Sequence, residues 1–122
     1  MTKTEIMKRC FDAYRLSQRE LLEGIFTDDF TFTSPYDDRI DKKTYFERCW
    51  PGNQHITGHV IEEIIESGDH VYVHYKCTTT DGREFRNVEI HTFEGDKIKK
   101  VEVYFGAAYQ DGGFLTQHEM NK

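Results

Sequence analysis

The sequence predicts an α+β domain in which helices at the front of the chain cover one face of a sheet built from the strands that follow. Ahead of Pro51, apolar residues recur mostly at helical spacing; from His55 on, β-branched and aromatic residues alternate with polar ones between turn signals. At 122 residues the chain is long enough for one domain with a real core and too short for two.

Thr2 or Thr4 can cap a first helix, whose Ile6, Met7, Cys10, Phe11 and Tyr14 make one apolar stripe. Ser17 with Glu20 three residues on has capping-box spacing and opens a second helix through Leu21, Leu22, Ile25 and Phe26. In "TDDFTFTSP", Phe30 and Phe32 alternate with Thr31 and Thr33, a short strand ended by Pro35. Asp41 caps a third, short helix that gathers Tyr45, Phe46, Cys49 and Trp50 late and stops at Pro51-Gly52. "HITGHVIEEIIESG" is predicted as a strand with a bulge, although Ile61, Ile64 and Ile65 also fit a helix. "HVYVHYKCTTT" is a strand, Asp81-Gly82 a two-residue hairpin signal, and "REFRNVEIHTF" its return. "EGDK" turns and "IKKVEVYFG" closes the sheet. The tail beyond Gly106, residues 107–122, has weak patterning and reads as a loosely packed end or a partner-binding segment.

Composition narrows the function classes. Lys+Arg 16 against Asp+Glu 22 leaves a net charge of −6, which argues against nucleic acid and anionic membrane as partners. "DKIKK", the one basic cluster, falls on a hairpin and strand edge. The charged start "MTKTEIMKRC" does not resemble a signal peptide, and no apolar run reaches membrane length. Cys10, Cys49 and Cys77 are odd in number and widely spaced, so reduced, buried thiols in a cytoplasmic protein are expected. Cys49, beside Trp50 at a helix end, is the one to test for reactivity. Aromatics are 14% of a chain only 37% hydrophobic, so rings must supply much of the buried area, and rings suit pockets as well as cores.

Turn arithmetic sets out the sheet faces. With Asp81-Gly82 as a two-residue turn, Thr80 pairs with Arg83, which puts Lys76 opposite Asn87, His74 opposite Glu89 and Tyr72 opposite His91. A three-residue loop Glu94-Gly95-Asp96, with Asp96 left-handed, pairs Glu89 with Val101 and Asn87 with Val103. One face then carries Tyr72, His74, Lys76, Asn87, Glu89, His91, Val101, Val103 and Phe105. The other carries Val71, Val73, Tyr75, Cys77, Val88, Ile90, Lys100, Glu102 and Tyr104. Either the Val/Ile face is the core and the polar set is solvated, or the polar set lines a pocket and the Val/Ile face is covered by a partner.

The order of elements, with the words "IFTDDFTFTSP", "KKTYFERCW" and "FEGDKIKKVEVYFG", resembles the nuclear transport factor 2-like superfamily, specifically its SnoaL-like branch related to polyketide cyclases and ketosteroid isomerases. The resemblance runs to about Gly106. It implies a cystatin-like cone, a strongly curved, mostly antiparallel sheet wrapped around N-terminal helices, within a single domain spanning 1–122. It further implies an apolar pocket at the open end and a homodimer through the outer sheet face, and so favours the pocket reading. Members range from isomerases, cyclases, epoxide hydrolases and dehydratases to non-catalytic transport or assembly domains, so activity has to be argued from the site.

In that pocket, His74 opposite Glu89, with His91 diagonal to both, forms an acid–base unit. The carboxylate holds one imidazole nitrogen and leaves the other to move a proton. Tyr14, Tyr72 and Asn87 are candidate donors to an enolate oxygen; Phe32, Phe46, Trp50 and Phe105 are candidate apolar walls, with Val101 and Val103 on the same face. The alternative is a hydrogen-bonded polar cluster that only orders the sheet. Two histidines and a carboxylate could in principle hold iron or zinc, but ligands scattered over strands carry no spacing signature, and neither metal nor cofactor is expected. The pair His55 and His59 is a weaker signal still.

Direct carry-over from the family's enzymes mostly fails. The ketosteroid isomerase base is an aspartate before the proline after the first strand, where this chain has Ser34, and the helix-one tyrosine aligns with Cys10. The epoxide hydrolase positions hold Tyr72, His74 and Val103. Cyclase-like aldol chemistry would need His74, or Asp37 just after "SPY", although Asp37 reads as a turn residue. The expected function is binding of a small apolar or carbonyl-containing molecule; if the protein is an enzyme, the expected chemistry is cofactor-free isomerase, cyclase or dehydratase chemistry on a carbonyl compound by proton transfer. The alternative is a non-catalytic ligand-binding or protein-interaction and assembly module.

Overall fold

The computed structural model describes residues 1–116. Helix α1 (Lys3–Arg15) starts at Thr2, whose hydroxyl accepts from the Glu5 amide at 3.1 Å, and it buries Ile6, Met7, Cys10 and Ala13. Helix α2 (Arg19–Ile25) begins after Gln18, without a side-chain cap. The capping box expected at Ser17 is therefore absent. Ser17 is left-handed, with φ +59°, and its Oγ accepts from Asn53 Nδ2 at 2.6 Å, so the hydroxyl ties the interhelical turn to a later segment.

Strand β1 (Phe26–Ser34) turns at Pro35-Tyr36 into β2 (Asp37–Asp41), a strand the sequence pattern does not announce because "DDRID" has one apolar residue. Asp41 then caps α3 (Lys42–Arg48), accepting from the Thr44 amide at 2.8 Å, and a 3-10 helix over Trp50–His55 follows. The remaining strands are β3 (Ile56–Ser67), β4 (His70–Thr79), β5 (Arg83–Glu94), β6 (Lys97–Gln110) and β7 (Gly113–Leu115). They form one curled, open sheet in the order β2-β1-β6-β5-β4-β3, with β7 beside β6; all pairings are antiparallel except β1 with β6. The fold is α+β, with the helices inside the curl. Met7, Phe30, Val71, Val73 and Ile98 are the largest fully buried side chains between them. Bulges in β3 follow Ile56 and Ile61, as the strand-with-bulge reading requires, and help the sheet curve. No helix among the described residues is long and apolar enough to cross a membrane.

The expected end of the sheet at Gly106 is corrected. β6 runs on to Gln110 because Gly106 lies so close to Arg86 that a Cβ there would sit 2.6 Å from the Arg86 carbonyl oxygen. Asp111 and Gly112, with φ +50° and +84°, then turn the chain into β7. The part of the tail beyond 116 lies outside the described residues.

Register decides what the sheet presents. The expected pairing of β4 with β5 is off by one. Lys76 pairs with Arg86, Tyr75 with Asn87, Val73 with Glu89 and Val71 with His91. The cause is the turn. Of Asp81 and Gly82 only Gly82 has positive φ, at +81°, whereas a two-residue type I′ turn needs both. The loop is Thr80-Asp81-Gly82 with glycine in the left-handed position, and the extra residue moves every β4 side chain to the opposite face. At the next hairpin the loop is two residues, Gly95-Asp96, with Gly95 rather than Asp96 left-handed at φ +65°. A bulge beside Thr92 adds one more step, so Glu89 pairs with Val103 and Asn87 with Phe105. That shift of two is even, and the expected face of Val101, Val103 and Phe105 survives it.

Candidate active site

Between the helices and the concave sheet face lies a cavity of about 300 Å³, lined mainly by apolar side chains. Asn87, Glu89 and His91 point into it from β5, as alternation along one strand dictates. Tyr75 joins them from β4, because the observed register puts it opposite Asn87. Asn87 Nδ2 donates to Tyr75 Oη at 3.0 Å, and Tyr75 Oη donates to Glu89 Oε2 at 2.5 Å. His91 Nε2 lies 2.8 Å from Glu89 Oε1.

The chain of donors has one consistent direction. Burial, then the charge of Glu89, pushes the Tyr75 phenol well above its ordinary range, so it keeps its proton and donates it to Glu89. A carboxylate only accepts, so His91 Nε2 is the donor in the bond to Glu89, and in the neutral ring Nδ1 is the nitrogen left with a lone pair. His91 is 4% exposed, and its Nδ1 is buried with no hydrogen-bond partner among the described residues. The same partly buried carboxylate acts on its surroundings. Burial, followed by Glu89, raises the Cys10 and Cys77 thiols to about 12.

Of the candidates read from sequence, Glu89, His91, Asn87, Tyr14, Phe32, Val101, Val103 and Phe105 all line the cavity. Tyr72 and His74 do not; they sit on the outer face, and the His74 side chain is 44% exposed, 3.8 Å from Glu62. The expected juxtaposition of His74 with Glu89 is thus not made, because the three-residue loop turned His74 outward; the imidazole that meets Glu89 is His91. Phe46 and Trp50 are behind the wall rather than in it. Phe46 packs on Phe26, Tyr45 and Trp50, and Trp50 meets Tyr14 edge-on at 5.5 Å. Tyr14 itself donates to the Cys49 carbonyl at 2.9 Å.

Tyr75 escaped the sequence reading through the same one-residue slip; the signal that could have placed it is that Asp81 adopts positive φ at greater cost than glycine. Asp37 is more than a turn residue. Its side chain is 8% exposed and lines the cavity, accepting from Ser34 Oγ at 2.8 Å and pairing with Arg48 at 3.0 Å. Cys49 Sγ lies 3.8 Å from Asp37, and burial, then that carboxylate, lifts the thiol to about 12. His59, the better placed of the HITGH pair, lines the cavity and accepts at Nδ1 from Arg15 Nε at 3.3 Å, while His55 ends the 3-10 helix. Among the described residues no three His, Cys, Asp or Glu side chains converge as metal ligands.

Solved structures share this architecture. A nuclear transport factor 2-like protein of unknown function from Cytophaga hutchinsonii superposes with a TM-score of 0.72 at 18% identity, covering 87% of this chain and 91% of that one. A candidate SnoaL-like polyketide cyclase from Jannaschia sp. CCS1 gives 0.74 at 15% identity, with 84% of each chain covered. A candidate ketosteroid isomerase from Kribbella flavida gives 0.70 at 16% identity, covering 88% of this chain and 80% of that one. At such identities these likenesses establish the fold alone. No curated protein sequence matches the chain. The SnoaL-like domain pattern matches residues 7–101, most of the chain, and with the curled sheet over its N-terminal helices it places the protein in the SnoaL-like domain family.

Proposed function

We propose that the cavity takes a small, largely apolar carbonyl compound and moves a proton on it without a cofactor. The observation that carries this reading is His91, buried, held by Glu89 through Nε2, with Nδ1 unpartnered in the cavity wall. Nδ1 accepts the proton from a carbon next to the carbonyl, and the imidazolium formed is stabilised at once by the carboxylate behind it. Asn87, which spends Nδ2 on one bond to Tyr75, is the proposed donor to the developing enolate oxygen. Returning the proton from the imidazolium to another carbon is isomerisation; giving it to a β-hydroxyl, which leaves as water, is dehydration; giving it to the oxygen of a second carbonyl as the enolate carbon attacks that carbonyl is cyclisation. Apolar walls exclude water and strengthen each of these interactions. The names given to the Jannaschia and Kribbella proteins belong to this reaction class.

Exchange of α-protons in deuterated buffer tests the reading before a substrate is known. A panel of apolar ketones such as 2-tetralone should exchange faster with the protein than with His91→Gln, as followed by proton NMR. Equal rates for the two proteins across the panel would remove His91 as the base.

A second reading has its own support. Both Glu89 oxygens are already occupied, by Tyr75 and His91, so the cluster also suits a non-catalytic binding domain whose polar network orders the sheet. For the assembled state we propose a homodimer through the outer sheet face, where Val60, Ile65, Tyr72, Val88 and Tyr104 are exposed. Three free cysteines with thiols near 12 suit a reducing, cytoplasmic compartment.

A further inference from the structure

Arg15 closes α1 and is the single Lys or Arg side chain among the described residues that line the cavity. The acidic groups in the same wall are already engaged. Asp37 faces Arg48 at 3.0 Å, and Glu89 is held by Tyr75 and His91. Arg15 is not balanced in the same way. Its nearest carboxylate is Asp12, 3.8 Å away and 54% exposed, a solvent-screened contact too long for a hydrogen bond. What aims the guanidinium is His59, which accepts from Arg15 Nε at 3.3 Å while its other nitrogen lies 3.5 Å from Asp12. Burial, then the charge of Arg15, holds His59 below its usual range, which keeps it neutral and able to accept.

A cation in the last turn of a helix offsets the carbonyl end of the dipole, and Arg15 does this too. That role does not require a side chain anchored to β3 and turned to the cavity. We infer that Arg15 sets the cavity's specificity, taking the carboxylate of an otherwise apolar ligand while the uncharged part of the molecule reaches Glu89 and His91. The planar fork of N–H donors matches a carboxylate, and the partly exposed position, with 32% of the side chain accessible, lets the ligand's charge stay hydrated. The preferred substrate class is therefore a carbonyl compound bearing an acid group, an oxo acid favoured over a neutral ketone. This rests on the proposal that the cavity is the ligand site.

Calorimetric titration with octanoate and with neutral octanamide tests it on the whole chain. The protein should bind octanoate more tightly than octanamide, by roughly tenfold, the size expected for one charge-assisted contact. In Arg15→Gln that preference should vanish while octanamide affinity stays the same, which also reports an intact cavity; Arg15→Lys should restore part of it. Equal affinity of the unaltered protein for acid and amide, or equal loss of both in Arg15→Gln, overturns the assignment. Binding of neither probe removes both this assignment and the cavity as ligand site. An acid preference that disappears in Arg15→Gln, together with α-proton exchange indifferent to His91→Gln, would leave Arg15 in its role and remove only the proton-transfer chemistry.

Discussion

His91 Nε2 lies 2.8 Å from Oε1 of Glu89, two residues earlier on the same strand. The pair is built by β-periodicity alone, since residues two apart share a face, and it needs no help from strand register. Replacing Glu89 by Gln leaves an oxygen to accept from Nε2 but no charge against the imidazolium. In the proposed reaction, α-proton exchange should fall by about tenfold in Glu89→Gln and by about a hundredfold or more in His91→Gln, the range for a lost general base. Proton NMR of the ketone checks both, and a larger loss for Glu89→Gln than for His91→Gln would reverse their roles.

Tyr75 and His74 are neighbours with opposite prospects. Tyr75→Phe strips Glu89 of one donor and Asn87 Nδ2 of its acceptor in a buried setting, so urea denaturation should show a loss of about 1–3 kcal/mol. His74→Ala, on the outer face, should stay within about 0.5 kcal/mol and leave ketone exchange unchanged. A catalytic defect in His74→Ala would contradict the observed register.

Cys49 is half-buried, with its thiol raised to about 12 against the ordinary 9.0 of a free one. At pH 8 the thiolate fraction is then smaller by about a thousandfold, and alkylation should be slow in the native protein and fast after unfolding. The sign for stability follows from the raised value. The unfolded chain releases the thiol proton first as pH climbs above 9, so Cys49, like Cys10 and Cys77, contributes stability below that pH which is lost as pH rises toward 12. Rapid native labelling of Cys49 at pH 8, read by mass spectrometry, would refute the shift.

On the outer face, Tyr72 and Val88 are 39% and 37% exposed, with Tyr104 at 55% beside them. If copies pair there as proposed, Val88→Asp should shift the sedimentation coefficient from dimer to monomer at micromolar concentration without altering the circular dichroism. A chain already monomeric before substitution would remove the proposal.

The order of helices and strands apart from β2 and β7, a threonine cap at Thr2 or Thr4, the Asp41 cap, the bulged β3 and the polar face of β5 were legible in the sequence. Each follows from short-range physics: periodicity, capping geometry, the left-handed tolerance of glycine. The family resemblance supplied the curl of the sheet. What local pattern left open was parity between strands. Thr80-Asp81-Gly82 and a two-residue turn look alike in sequence, yet they differ by one residue, and one residue sends His74 to solvent and Tyr75 to Glu89. β2 and the extension of β6 were hidden for a related reason, because their pairing partners, Thr31 to Ser34 for one and Arg83 to Phe85 for the other, are brought alongside only by the folded sheet.

The sequence by itself determined that Asn87, Glu89 and His91 share one face, since a strand allows nothing else. Tertiary structure decided that this face is the inner one, that Tyr75 completes its hydrogen bonds, and that Arg15, at the end of a helix remote in sequence, shares the same cavity. Burial and long-range pairing are properties of the whole fold, and they turn an alternating strand into a cavity wall.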